Sequence, residues 1–333
     1  MIRKTIIILL SSAFVLCLTG CSKKDAPNEN GRLTVAVIPK GTIHEFWKTV
    51  HAGAEMAGEE LDVEILWKGS LKEDDRDAQI SVVENIIVRK VDGIVLAPLD
   101  DVALRRPVET AMRSDIPVVI FDSGLQGDNY ISYVATDNFK AGKLAAEYMA
   151  KLLDGKGRVV VLRYSEGSDS TTKREDGFLD GIGASMGIEI VSSKQYAGVS
   201  TESALKAAEN LLSRFAGADG TLEFDGIFCA TEPTTLGILR ALQDSGYAGK
   251  IKFIGFDSSE KMIAALQAGH LSGFVVQKPF SIGYLGVKTM VRHLRGEKVP
   301  GRIDTGSILV TEENLDQPEI RELLNPDLSK WLK

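Results

Sequence analysis

Short aliphatic runs recur from end to end of the chain, each followed by a longer stretch whose apolar residues fall at helical spacing. The runs predict strands at 33–38, 63–67, 93–97, 117–121 and 130–135, then at 158–162, 189–193, 226–229, 251–255 and 273–276. Many are unbroken Val, Ile and Leu rather than an in–out alternation, as expected of parallel strands covered on both faces. The clearest helix lies between the first two runs, where Phe46, Val50, Ala54, Ala57 and Leu61 share one face. Strand–helix–strand alternation with right-handed crossovers predicts doubly wound α/β sheets. One sheet of that many strands is unusual, and a break at Thr136-Asp137 divides the set evenly, so the pattern predicts two sheets.

In open α/β sheets, ligands gather beyond the carboxyl ends of the strands. The first predicted strand leads to Lys40, His44, Phe46 and Trp47, and the second ends on Trp67 and Lys68. The fourth ends Phe121-Asp122-Ser123. In the second half, strand ends lead to Lys173-Arg174, to Thr231-Glu232, to Phe256-Asp257 and to Gln277-Lys278. Aromatic rings cover the C–H faces of a sugar ring, and Asp, Arg and Gln can each engage two neighbouring hydroxyls. The mixture predicts a site for a neutral, hydroxyl-rich solute. Trp47 lies one step off the apolar face that carries Phe46, so packing explains it less well. Asp122 and Asp257 close otherwise apolar runs, whereas Arg174 sits in a charged stretch of the kind usually left in water.

Charge narrows the partners. Net charge is −7 with no basic block, which disfavours nucleic acid, since phosphate binding needs clustered Lys and Arg. Nothing in the sequence makes a catalytic, metal or cofactor constellation. His44-Glu45 is followed by Lys48 rather than a second His, and the four histidines lie far apart. Gly181, Gly183 and Gly187 have the wrong spacing for a dinucleotide loop and read as helix termination and tight packing. Ser168 and Ser170 lack a nucleophile elbow.

The N-terminus adds a location. Arg3 and Lys4 precede an apolar run over 6–18, which ends Leu18-Thr19-Gly20-Cys21. A positive start, an apolar core and small residues before a cut site mark a secretory signal, and the run is short for a membrane span. Small residues directly before a cysteine resemble the bacterial lipobox, which implies cleavage after residue 20 and lipidation of Cys21. Residues 22–31 hold nothing for a core and predict a flexible tether. Cys17 leaves with the signal, so Cys229 is the one thiol of the body and reads as a buried packing residue.

Several stretches together resemble a known family: His44-Glu45-Phe46-Trp47, Val118 to Asp122, Ala135-Thr136-Asp137-Asn138, Arg174 to Phe178, Leu236 to Leu242 and Ile254-Gly255-Phe256-Asp257. In order and spacing they are similar to periplasmic sugar-binding proteins of the ribose-binding type, whose fold is shared with the ligand-sensing part of LacI-type repressors. The resemblance implies two doubly wound parallel-sheet lobes joined by a three-segment hinge, the periplasmic binding protein type I architecture. The lobes would be 31–136 plus 278–305 and 137–277 plus 306–333, after a signal peptide at 1–20 and a tether at 21–31. It further implies sugar contacts from Phe46, Trp47, Asp122, Arg174, Asp257 and Gln277. His44 and Thr231, with Glu232 next to it, stand where the family has Asn, and Ser123 where it has Arg. Trp67 is a further candidate contact that could equally just end a buried strand, and Lys40, His44 and Lys68 add donors to the ribose pattern. These departures point away from ribose itself towards another monosaccharide or polyol. The implied protein is a monomeric, lipid-anchored, extracytoplasmic receptor that delivers its solute to an ABC permease. A sensor feeding a membrane histidine kinase or chemoreceptor would carry the same ligand site. An export signal where a DNA-binding head would stand disfavours a repressor.

Overall fold

The computed structural model describes residues 31–332, so Cys21, the signal region before it and nearly all of the tether lie outside the described residues. In chain order the first elements are β1 (Thr34–Ile38), α1 (Glu45–Leu61), β2 (Glu64–Trp67), α2 (Arg76–Val88), β3 (Gly93–Leu96), α3 (Arg105–Arg113), β4 (Val118–Phe121) and β5 (Ser132–Ala135). There follow α4 (Asn138–Leu152), β6 (Lys156–Arg163), α5 (Asp169–Gly183), β7 (Gly187–Tyr196), α6 (Thr201–Arg214), β8 (Gly226–Phe228), α7 (Glu232–Asp244), β9 (Lys252–Phe256), α8 (Glu260–Gln267) and β10 (Gly273–Gln277). The chain ends with α9 (Pro279–Leu294), β11 (Arg302–Asp304), β12 (Ser307–Val310) and α10 (Pro318–Leu324).

Two six-stranded sheets result, ordered β11-β5-β4-β3-β1-β2 and β12-β10-β9-β8-β6-β7. Each is the core of an α/β lobe. The aliphatic runs bury both strand faces: β1, β3 and β4 have no exposed residue, with Val35 set between Ile65 of β2 and Gly93 of β3. Val50, Ala54, Val287 and Met290 of α1 and α9 cover one face of the first sheet, and Val83, Ile86 and Val108 of α2 and α3 cover the other. In the second lobe, Ala145 and Phe178 of α4 and α5 take one face, and Leu211 and Leu242 of α6 and α7 take the other.

One strand departs from the parallel expectation. β12 runs antiparallel to β10, with Val275 opposite Leu309. It reaches the second sheet directly from β11, which is parallel to β5 in the first, through Thr305 and Gly306. The carboxyl ends of both sheets face each other across the cleft. A strand that crosses straight over therefore enters the second sheet from its carboxyl end and must run against its neighbours.

Close helix pairing fixes what stands at the cleft. A Cβ on Gly53 would strike the Phe280 carbonyl of α9, and one on Gly283 would strike the Val50 carbonyl of α1. The second lobe repeats this, Gly142 of α4 lying against the Arg174 carbonyl and Gly177 of α5 against that of Phe139. Gly181 packs on Ala146, in keeping with the tight-packing reading. The core face of α1 is Trp47, Val50, Ala54 and Ala57; Phe46 and Leu61, expected on that face, are half-buried at its flanks. Cys229 is fully buried, its thiol beside the Thr235 hydroxyl at 3.2 Å and pushed up to about 12, first by burial, with that hydroxyl and a backbone N–H pulling the other way.

Candidate functional site

The residues that follow β1, β4, β6, β8 and β9, with the last residue of β10, converge between the lobes. They leave between them a cavity of about 40 Å³. Lys40, His44, Phe46, Trp47 and Asp122 come from the first lobe; Arg174, Thr231, Glu232, Asp257 and Gln277 come from the second. Ten of the twelve residues expected at the ligand thus share one cavity.

Asp122 and Asp257 occupy equivalent places. Each follows a buried Phe at a strand end, and each has a left-handed backbone, with φ of 61° and 62°. Asp tolerates that region better than most residues. The Asp122 N–H donates to Val134 O at 3.0 Å and the Asp257 N–H to Val275 O at 2.8 Å, so the adjacent strand fixes each turn. Each carboxylate faces a cation: Lys40 Nζ lies 3.6 Å from Asp122, and Arg174 Nη1 lies 3.7 Å from Asp257. Burial pushes both carboxyls above their usual range, and these cations pull the other way.

Arg174 is 3% exposed, so the charged run around it is not a solvated face. Its Nε donates to Asn138 Oδ1 at 2.8 Å, its Nη1 donates to Ala230 O at 2.9 Å, and its guanidinium stacks 4.0 Å over the Phe256 ring. Gln277 Nε2 donates to Asp257 Oδ1 at 2.9 Å, while Gln277 Oε1 is buried without a hydrogen-bond partner. A buried, unpaired acceptor is costly unless something donates to it. Thr231 precedes α7, its hydroxyl 2.9 Å from that of Thr234. His44 precedes α1, with Nδ1 3.7 Å from Glu232 Oε2 of the other lobe. The Glu232 carboxyl is raised, first by burial.

Lys40 also donates to the Ser168 and Ser170 hydroxyls of the second lobe at 3.2 and 3.0 Å. Two residues not foreseen form a parallel bridge. Glu73, in the loop after β2, accepts from Trp47 Nε1 at 2.6 Å, and its other oxygen accepts from the Tyr164 hydroxyl of the second lobe at 2.9 Å. Burial, with Glu73 alongside, holds the Tyr164 hydroxyl well above the usual phenol range.

Two expectations are corrected. Trp67 does not line the cavity: it ends the edge strand β2 and stacks on His51 of α1, ring centroids 4.2 Å apart. Ser123 is fully buried and also outside the cavity lining; its hydroxyl accepts the Ser170 N–H at 3.1 Å, which spends it on joining the lobes. Phe46 meets Trp47 edge-on at 5.0 Å, and Trp47 meets Phe121 at 6.2 Å, so Trp47 serves the core and the cavity together. Among the described residues no cluster of His, Cys, Asp and Glu is arranged to hold a metal ion.

Two α/β lobes with strand carboxyl ends facing across a polar cleft define a bilobal solute-binding protein. The chain belongs to the periplasmic binding protein family, whose domain profile matches residues 35–298. The ribose import binding protein of Haemophilus influenzae is 28% identical over 303 residues, covering 91% of this chain and 98% of that protein. A solute-binding protein of an ABC transporter from Agrobacterium vitis, solved with bound D-fucose, is 37% identical with a TM-score of 0.82, over 88% of this chain and all of that one. A carbohydrate-transporter solute-binding protein from Agrobacterium radiobacter, solved with D-arabinose, is 33% identical with a TM-score of 0.82, over 88% and 99%. These relatives are sugar-binding transport proteins, not enzymes, and family membership implies a place outside the cytoplasm.

Proposed function

We propose that the cleft captures a polyhydroxylated ring, a monosaccharide or related polyol, and that the closed protein presents it to an ABC permease. The observation that carries this reading is the matched pair of strand-end carboxylates, Asp122 and Asp257, one from each lobe, each beside a cation. A ligand held by both carboxylates binds only when the lobes are together, so its contacts favour the closed state over the open one. The half-buried Phe46 ring supplies an apolar face, Arg174 supplies a donor, and Gln277 Oε1 supplies an acceptor. The relatives that bind ribose, D-fucose and D-arabinose support the class of solute, and the donor at His44 argues for one other than ribose. In the same reading Cys21 becomes the acylated first residue and tethers a monomeric receptor to the membrane, which metabolic labelling with palmitate reads directly.

The experiment is thermal denaturation against a panel of pentoses, hexoses and their polyols. A ligand that binds only the native state raises the midpoint in a concentration-dependent way. At least one panel member should do so, and no response from any of them would sink the sugar reading.

A further inference from the structure

The cavity between the lobes does not end at the strand-end carboxylates. Phe46, Glu232, Asp257 and Gln277 also line a second, larger compartment of about 710 Å³, partly open to solvent. The first turns of α1 and α7, the connection from β9 to α8, the junction of β10 with α9 and the C-terminal residues 323–328 form its walls. That segment presents Leu323, Leu324 and Leu328, which join Leu236 and Val276 in an aliphatic wall.

We infer that the natural ligand is a glycoside, a sugar ring in the inner cavity whose anomeric substituent extends into this outer compartment. The inference rests on the sugar reading above and deepens it. Three observations converge on it. The four shared residues make the compartments continuous. At their junction Gln277 has its amide donor committed to Asp257, while Oε1 is buried and unpaired, an acceptor placed for a hydroxyl of whatever passes through. On the opposite flank the Lys40–Ser168, Lys40–Ser170 and Glu73–Tyr164 hydrogen bonds tie the lobes together, so a substituent is directed towards Gln277 and Glu232. An aliphatic wall suits an apolar aglycone or the C–H face of a second sugar; a free monosaccharide would leave it unused.

The test is calorimetric titration with a free monosaccharide that binds, its methyl glycoside, an aryl glycoside of it, and a disaccharide that bears the same sugar at its non-reducing end. Burial of two or more methylene-sized groups is worth about tenfold in affinity. The aryl glycoside or the disaccharide should therefore bind at least ~10-fold tighter than the free sugar, and which of the two does so separates an apolar aglycone from a second sugar. Leu328→Trp, which fills the outer compartment from a position after α10, should abolish that preference; Leu236→Trp gives the same reading from α7. Binding of the free sugar with weaker or absent binding of every glycoside would overturn the inference and leave the receptor reading standing. Binding of none would remove both.

Discussion

Asp122 and Asp257 show how one local sequence, Phe-Asp-Ser after an aliphatic run, makes the same device twice. The run sets the strand, the left-handed Asp turns its carboxylate into the cleft, and a cation from its own lobe stands beside it. Glu73 acts differently, since it binds one aromatic donor from each lobe. Glu73→Ala would leave the Trp47 indole N–H and the Tyr164 hydroxyl unpaired on closing, a loss of about 1–3 kcal/mol. Sugar affinity should fall roughly tenfold or more by titration, with the fold unchanged by circular dichroism. That Asp122, Asp257, Trp47 and Gln277 line the cavity between the lobes was legible because strand ends in an α/β sheet gather at the cleft. Glu73 was not, because Lys72-Glu73-Asp74-Asp75 looks like an ordinary solvated run and its partners are distant in sequence. Trp67 was over-read: an aromatic residue at a strand end faces the cleft only if its strand reaches it, and β2 is an edge strand flanked by α1.

Among the elements, α5 joins cleft to sheet. Glu175, buried within it, accepts from the Tyr164 N–H at 2.8 Å and from Arg163 Nη1 at 3.0 Å, and so ties α5 to the end of β6. Its carboxyl is pushed up from 4.5 to about 7, by burial first, with the Tyr164 and Arg163 contacts pulling it down. The folded carboxyl therefore holds a proton that the unfolded chain has released between about pH 4.5 and 7. This contribution to stability is present below pH 4.5 and is lost as pH rises through 7. Urea denaturation across that window should show a falling contribution in the native protein that is absent in Glu175→Gln, and identical slopes would refute it. The strands and helices were readable from period alone, because long aliphatic runs and 3.6-residue spacing are local signals. The glycine contacts between α1 and α9 were not, because they join residues of one lobe across more than half the chain. β11 fell outside the aliphatic runs: Arg302-Ile303-Asp304 is short and mostly polar, and its strand character comes from pairing with β5.

At the scale of the molecule, the two lobes meet through contacts that need no ligand as well as through the cavity. The Gly124 N–H donates to Asp169 Oδ2 at 3.0 Å, the Asp101 N–H to Gly167 O at 2.9 Å, and the Ser170 N–H to the Ser123 hydroxyl. Gly124 and Gly167 have no room for a side chain there, since a Cβ on either would meet the Asp169 or the Asp100 carboxylate. The lobes therefore close against each other along one flank, and the proposed ligand would join them through the strand-end carboxylates. The most direct test of that account is calorimetric titration of a stabilising sugar into the native protein and into the Asp122→Asn, Asp257→Asn double variant. One sugar per chain should bind the native protein. Loss of a charged hydrogen-bonding partner from each lobe should weaken binding by about 100-fold or more. Equal affinity in the two proteins would mean that the sugar is not held between these carboxylates.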